Sequence, residues 1–327
     1  MSDGHPAPLP DTSRLATLQR FTSLGALALL FVAAVFVALG RTMAGGALAF
    51  LVLTGHAWVL GLEMLIAARV NRGDAAPRAG LREWLHAWWQ ESHTAPVVFA
   101  WRQPFRWRLW PDDEIPGQTN AAAAVFIHGF VCNRGFWLPW MARLRAEGRA
   151  YVSVNLEPVF GPIDAYADVI EAAVQRAEAL NPGAKPVLVC HSMGGLAARI
   201  WLAQRADHRE RIGGVITIAS PHRGTWLAHF SRVANGRQMA PGCDWLCELE
   251  RREQALAGDR AYEGFLCWYT NTDNIVFPAS TATLPGADNR HVAGAAHVDL
   301  AFHPRVMDES LARLASADNS PSERTAA

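Results

Sequence analysis

Charge is missing from two long stretches near the start of this chain. Residues 21–40 contain no Asp, Glu, Lys or Arg, and neither do residues 42–62. Each run is about 20 residues long, the length at which a helix spans a hydrocarbon core. Cysteine is also scarce: five in 327 residues, none at zinc-finger spacing. A chain of this size can build a core without a disulfide framework. Cys243 and Cys247 stand one helical turn apart. They read as neighbours on a helix face rather than as a bridge. Net charge is absent too, with 30 basic and 30 acidic residues. That balance removes the electrostatic reason to expect a nucleic-acid partner.

The uncharged runs are bracketed by Arg20 and Arg41, and apolar character continues past Glu63 to Val70. Only Arg41 and a few small residues separate them, which predicts a transmembrane helical hairpin. A cleaved signal peptide has a shorter apolar core and is not followed at once by a second run. Arg14 and Arg20 precede the hairpin, and Arg69, Arg72, Arg78 and Arg82 follow it. By the positive-inside rule both ends, and the large C-terminal domain, are expected in the cytoplasm.

Most of the thirteen tryptophans lie in the first 140 residues. Leu81, Trp84, Leu85 and Trp88 fall at helical spacing. Trp101, Trp107 and Trp110 then alternate with Arg102, Arg106 and Arg108. Tryptophan with arginine suits the headgroup region of a bilayer. The same stretch also reads as an amphipathic helix and edge strand of the soluble domain, and the two readings are compatible.

From residue 120 onward short apolar runs alternate with helical patterns, the signature of parallel strands joined by crossover helices. Strands are expected at residues 122–127, 151–156, 187–190, 214–219, 265–270 and 291–293. Helices are expected at 136–147, 164–180, 245–257 and 304–315. The organisation is then a disordered N-terminus (1–18), a membrane hairpin (19–72), and an aromatic and basic bridge with the first strands (73–118). An α/β catalytic domain (119–316) follows, with an irregular segment (222–262) able to act as a lid, and a disordered tail (317–327).

Chemistry concentrates at Cys190-His191-Ser192-Met193-Gly194, between the apolar run Val187-Leu188-Val189 and a helical stretch. A serine on a sharp strand-to-helix turn is presented clear of the sheet, and small neighbours let strand and helix approach. Gly194 meets that need, and Cys190 stands where glycine is usual. A serine hydroxyl needs a base to take its proton, and the base needs an acid to fix its tautomer. Asp273 follows an apparent strand, and His297 follows Gly294-Ala295-Ala296. The order Ser192, Asp273, His297 is the one this architecture uses. Asp259 and Asp288 are rival acids; His291 and His303 are rival bases. The N–H groups of Met193 and Phe130 are candidate oxyanion donors. Phe130 lies in His128-Gly129-Phe130, after an early strand, where Gly129 permits the turn and His128 braces the loop.

On Phe126-Ile127-His128-Gly129-Phe130, His191-Ser192-Met193-Gly194-Gly195-Leu196, Thr217-Ile218-Ala219-Ser220-Pro221-His222-Arg223-Gly224-Thr225, Asp273-Asn274-Ile275-Val276 and His297, residues 122–315 resemble bacterial α/β-hydrolase-fold lipases and esterases, in particular the triacylglycerol-lipase-like family. The resemblance implies carboxylic ester hydrolysis through an acyl-serine, with Ser192 as nucleophile, His297 as base and Asp273 as acid, and without a cofactor. Some of those lipases hold a structural calcium ion. Asp299 matches one ligand position but has no convincing partner in the sequence, so no metal is expected. An acyltransferase or thioesterase would use the same triad, and a membrane scaffold with a decayed hydrolase domain is the non-enzymatic alternative. The expected partners are an ester substrate and a membrane; oligomeric state is not legible.

Overall fold

The computed structural model describes residues 12–112 and 121–316. The expected disorder of residues 1–11 and 317–327, and the end of the bridge at 113–118, fall outside the described residues. Two long helices open the chain, α1 (Arg14–Ala38) and α2 (Thr42–Val70). Both are long and apolar enough to cross a membrane, and only 6% of the most apolar window of each is buried. Gly40, with φ of 77°, makes the turn between them. At Gly45 a Cβ would sit 2.5 Å from Ala33 O, so the absence of a side chain lets the two helices touch.

One expectation needs correction here. Residues 14–18 belong to α1 and not to a disordered N-terminus. Ser13 caps the helix by accepting from Ala16 N–H, and Leu15 and Ala16 are buried. The first turn is therefore held by the domain beneath it rather than set free by its polar composition.

A second correction concerns the bridge. The described part of residues 73–118 contains no strand. It forms helix α3 (Leu81–Pro96), which runs directly into π-helical turns over Val97–Arg106. Pro96 lacks the N–H that would extend the α-helical ladder. The helix α3 lies along α2: Trp88 Nε1–H donates to Ala57 O at 2.7 Å, and His56 Nε2 meets Ser92 O at 2.9 Å. The π-helical turns lie along α1, with Gln19 Nε2–H donating to Gln103 Oε1 at 2.9 Å and Ser23 Oγ–H to Ala100 O.

The rest is a six-stranded, wholly parallel sheet. Its strands are β1 (Ala124–Ile127), β2 (Tyr151–Ser153), β3 (Val187–His191), β4 (Gly214–Ile218), β5 (Phe265–Thr270) and β6 (Asp288–Val292). They lie in the order β2-β1-β3-β4-β5-β6. Strand β6 starts three residues before the expected 291, so His291 sits near its end. Side chains alternate between faces as the pleat demands. Val125, Ile127, Leu188 and Cys190 enter a core with α5 (Ala167–Leu180) and α6 (Met193–Leu202). Phe126, Val187 and Val189 enter a second core with α4 (Leu138–Ala146) and α9 (Pro304–Ser316). Both faces are covered, as parallel sheets require.

Residues 222–262 form a 3₁₀ turn (Trp226–Phe230) and the helices α7 (Ala234–Gln238) and α8 (Asp244–Ala257). The segment is pinned to the domain. Arg199 on α6 makes a bidentate pair with Glu253 on α8 at 2.7–2.8 Å, both buried, and Tyr262 OH donates to the same carboxylate. Cys243 and Cys247 are free thiols.

Candidate active site

The order β2-β1-β3 places the reversal of the sheet between β1 and β3, and ligands of open α/β sheets bind at the carboxyl edge beside such a reversal. Both loops at that edge carry singled-out residues. The loop after β1 holds His128, Gly129 and Phe130; the turn after β3 holds Ser192.

Ser192 has φ of 53° and ψ of −128°, a conformation that side chains other than glycine rarely adopt. The strain is held by packing: Ser192 N–H donates to Ile218 O at 2.9 Å, and the turn leads at once into α6. The glycines explain how the parts come so close. A Cβ on Gly129 would lie 2.7 Å from Ser192 Cβ, and one on Gly194 only 2.4 Å from Ile127 O. Cys190, at the position where glycine is usual, is fully buried and fits.

Among the described residues, the N–H groups of Phe130 and Met193 have no hydrogen-bond acceptor. Met193 opens α6, where the helix N-terminus favours negative charge. Beside Phe130, Val131 is held at φ of 53°. His128 braces this loop from within: its Nδ1–H donates to Gly129 O at 2.9 Å, and its Nε2 accepts from Leu156 N–H at 3.0 Å. Burial holds the His128 imidazole down at about 4, so it stays neutral as those bonds require.

His297 Nδ1–H donates to Asp273 Oδ2 at 3.0 Å, while Asp273 Oδ1 accepts from the N–H groups of Ile275 and Val276. Both side chains are buried. Burial opposes charging His297, yet Asp273, with Glu91 and Glu63 beyond it, holds its pKa above the usual imidazole value. Its ring centroid lies 4.7 Å from that of His191, the residue before Ser192, and His191 Nε2–H donates to His297 O at 3.1 Å. No hydrogen bond joins Ser192 Oγ to His297. Such contacts are often loose without substrate.

The rivals lie elsewhere. Asp288 pairs with Arg290 on the edge strand β6. His291 lies against Tyr269 with the rings tilted, His303 precedes α9, and Asp259 sits in a surface turn after α8. No group of three or more His, Cys, Asp or Glu side chains among the described residues is arranged to hold a metal ion. Asp299, the position noted for calcium, instead gives its backbone N–H to Glu91.

Three contributors escaped the sequence reading. Asn274 Oδ1 accepts from His297 N–H at 3.2 Å, and its amide donates to Glu63 Oε2 on α2 at 2.8 Å. Glu91 on α3, only 1% exposed, accepts from the N–H groups of Val298 and Asp299 at 3.0 and 2.9 Å. The two carboxylates lie more than 200 residues before their partners. The one sequence signal was an uncompensated Glu on the inner face of an aromatic helix.

A family model described as the alpha/beta hydrolase family matches residues 124–320. No curated protein matches the chain by sequence. Among solved structures, the mature Bacillus licheniformis lipase BlEst2 superposes with a TM-score of 0.54 at 15% identity, covering 62% of this chain and 96% of that one. Aspergillus fumigatus lipase B gives 0.52 at 18% identity, covering 60% of this chain and 52% of its own. At such identities the likeness is one of fold. The family match covers more than half of the chain and contains the parallel sheet, the strained Ser192 turn and the His297 loop: the chain belongs to the alpha/beta hydrolase family.

Proposed function

We propose that the chain is a membrane-anchored serine hydrolase of carboxylic acyl or lipid esters, working through an acyl-serine. The observation that carries this reading is the His297–Asp273 bond at 3.0 Å, on loops beside a serine strained to φ of 53°. Ser192 Oγ attacks the ester carbonyl carbon while His297 takes its proton. The oxyanion is met by the N–H groups of Phe130 and Met193. Collapse expels the alcohol, which receives the proton from His297. Water, deprotonated by His297, then releases the acid and restores Ser192. Asp273 holds the imidazole in the tautomer that leaves Nε2 free to accept.

The anchor reading is supported by the exposed apolar faces of α1 and α2, including Phe21, Leu27, Phe31, Phe50, Leu53 and Trp58. Two further exposed stripes stand beside them at four-residue spacing. One is Leu81, Leu85 and Trp89 on α3; the other is Val97, Trp101, Phe105 and Leu109. Apolar stripes of this size rimmed by arginine suit the membrane interface. In this reading residues 19–72 anchor the chain, 73–118 seat it on the bilayer, and 119–316 carry catalysis on the cytoplasmic side.

The test is labelling of the full chain in membranes by a fluorophosphonate probe. We expect labelling that disappears in Ser192→Ala; an unlabelled but folded wild type refutes the reading. Release of p-nitrophenol from graded acyl esters, with and without an added alcohol, separates hydrolysis from acyl transfer. A reporter joined after residue 327 that is active only outside the cytoplasm refutes the orientation.

A further inference from the structure

We infer that the N-terminal helices are part of the catalytic machinery: Glu91 and Glu63 are positioning residues that hold the loop carrying His297. The inference rests on the ester-hydrolase reading and adds a role for side chains outside the matched hydrolase region.

The geometry is specific. The loop that carries His297 offers three successive backbone N–H groups, at His297, Val298 and Asp299. All three end on this apparatus. Val298 and Asp299 donate to the two oxygens of Glu91, one each. His297 donates to Asn274 Oδ1. Asn274 is held in the orientation that presents its oxygen, because its NH₂ donates to Glu63 Oε2. The base is thus fixed at its side chain by Asp273, at its own N–H by Asn274, which Glu63 orients, and at the next two N–H groups by Glu91.

A carboxylate is needed at position 91, and not just an acceptor. Each oxygen takes one N–H, so both bonds are charge-assisted. A glutamine offers one oxygen and sets an NH₂ group against the second N–H. The charge also reaches the base. Facing Glu91 are His297 and Asp299; facing His297 are Asp273, Glu63, Glu91 and His191. Asp299 in turn faces His303 and His86. Burial pushes the Glu91 carboxyl up to about 7, against the two N–H bonds that favour its ionised form. Protonation of Glu91 would turn one oxygen into a donor and release one of the loop's anchors.

The experiment uses the full chain in detergent micelles or proteoliposomes, with a p-nitrophenyl ester as substrate and Ser192→Ala as background. For Glu91→Gln we expect kcat to fall about 10- to 100-fold, with KM little changed and the acid limb of kcat/KM moved to lower pH. Glu91→Asp, which keeps the charge, should retain the wild-type limb. Glu63→Gln keeps an acceptor for Asn274 and should lose little kcat, while Glu63→Ala should lose more. A role in stability alone would lower the melting temperature without moving the acid limb. If Glu91→Gln does not fold, Glu63→Ala carries the test. Wild-type kcat and pH profile in both Glu91→Gln and Glu63→Ala overturn the inference. Absence of Ser192-dependent turnover in the wild type instead overturns the ester-hydrolase reading, and the inference with it.

Discussion

At the scale of single residues, the site is built from small clearances and a few charges. Gly194 has no room for a methyl group against Ile127 O. Gly194→Ala should cost about 1–3 kcal/mol, the usual range for overpacking. A lowered thermal midpoint and slower fluorophosphonate labelling would report it; unchanged values would show that the turn can widen. His297 is held above the ordinary imidazole value by its carboxylate neighbours, net of burial. On the proposed mechanism it acts as a base only when neutral, so activity should rise with pH through a midpoint above the ordinary 6.5. Asp273→Asn removes the largest favourable charge and the tautomer lock. It should move the midpoint down and lower kcat about 10,000-fold; a pH–rate profile on both proteins checks this. Glu91 is shifted upward by burial, so the folded state binds its proton more tightly than the unfolded chain does. Stability should therefore decline as pH rises from about 4.5, the unfolded value, to about 7, and Glu91→Gln should remove that part of the slope. Urea titrations at several pH values would reveal it.

At the scale of elements, what could be read in the sequence was what local pattern decides. Val187-Leu188-Val189 before Ser192 announced a strand entering a turn, and Gly194-Gly195 announced a helix packed against it. Asp273 and His297 were legible because each directly follows a strand-like run, where loops of a parallel sheet meet. The mismatch at residues 97–110, where an edge strand was expected, has a physical cause. Alternating Trp and Arg looks the same on an edge strand as on a π-helical stretch whose exposed positions recur every fourth residue. Only contact with α1 and α2 decides between them, and that contact joins residues far apart in the chain. The partners of Glu63 and Glu91 were illegible for the same reason: nothing near these carboxylates in sequence shows that Asn274, Val298 and Asp299 will arrive. The same scale yields a test of the segment 222–262. Arg199 and Glu253 are a buried, bidentate pair between α6 and α8. Removing one partner leaves an uncompensated charge, so Glu253→Gln should cost about 3–5 kcal/mol. Denaturant unfolding would measure it, and a change below about 1 kcal/mol, the size of an exposed pair, would mean the segment lifts easily in solution.

At the scale of the whole molecule, the hairpin and the hydrolase domain are riveted together. Arg14 N–H donates to Glu157, and Asn71 Nδ2–H to Asn271 O. Asp74 accepts from Ser280 N–H. A chain lacking residues 1–72 would lose the contacts of Arg14 and Asn71 together with that of Glu63. It should not behave as a soluble form of the enzyme: we expect it to express as aggregate, or to fold with labelling at Ser192 much reduced. Full labelling of a monodisperse truncated chain would show the anchor to be a passive tether.

The place where the hairpin parts from the domain carries a further consequence. Between Ser23 and His56, no hydrogen bond ties it to the rest of the described residues. From Leu24 to Ala38, α1 rises about 22 Å, short of a hydrocarbon core of about 30 Å. On the proposed anchoring, the shortfall draws the stripes of α3 and the π-helical turns below the headgroups and seats the hydrolase domain against the bilayer. Such an enzyme samples substrate in two dimensions. Its velocity would follow the mole fraction of ester in the bilayer, falling when inert lipid is added at constant bulk ester, and an apolar product would leave sideways into the leaflet without entering water.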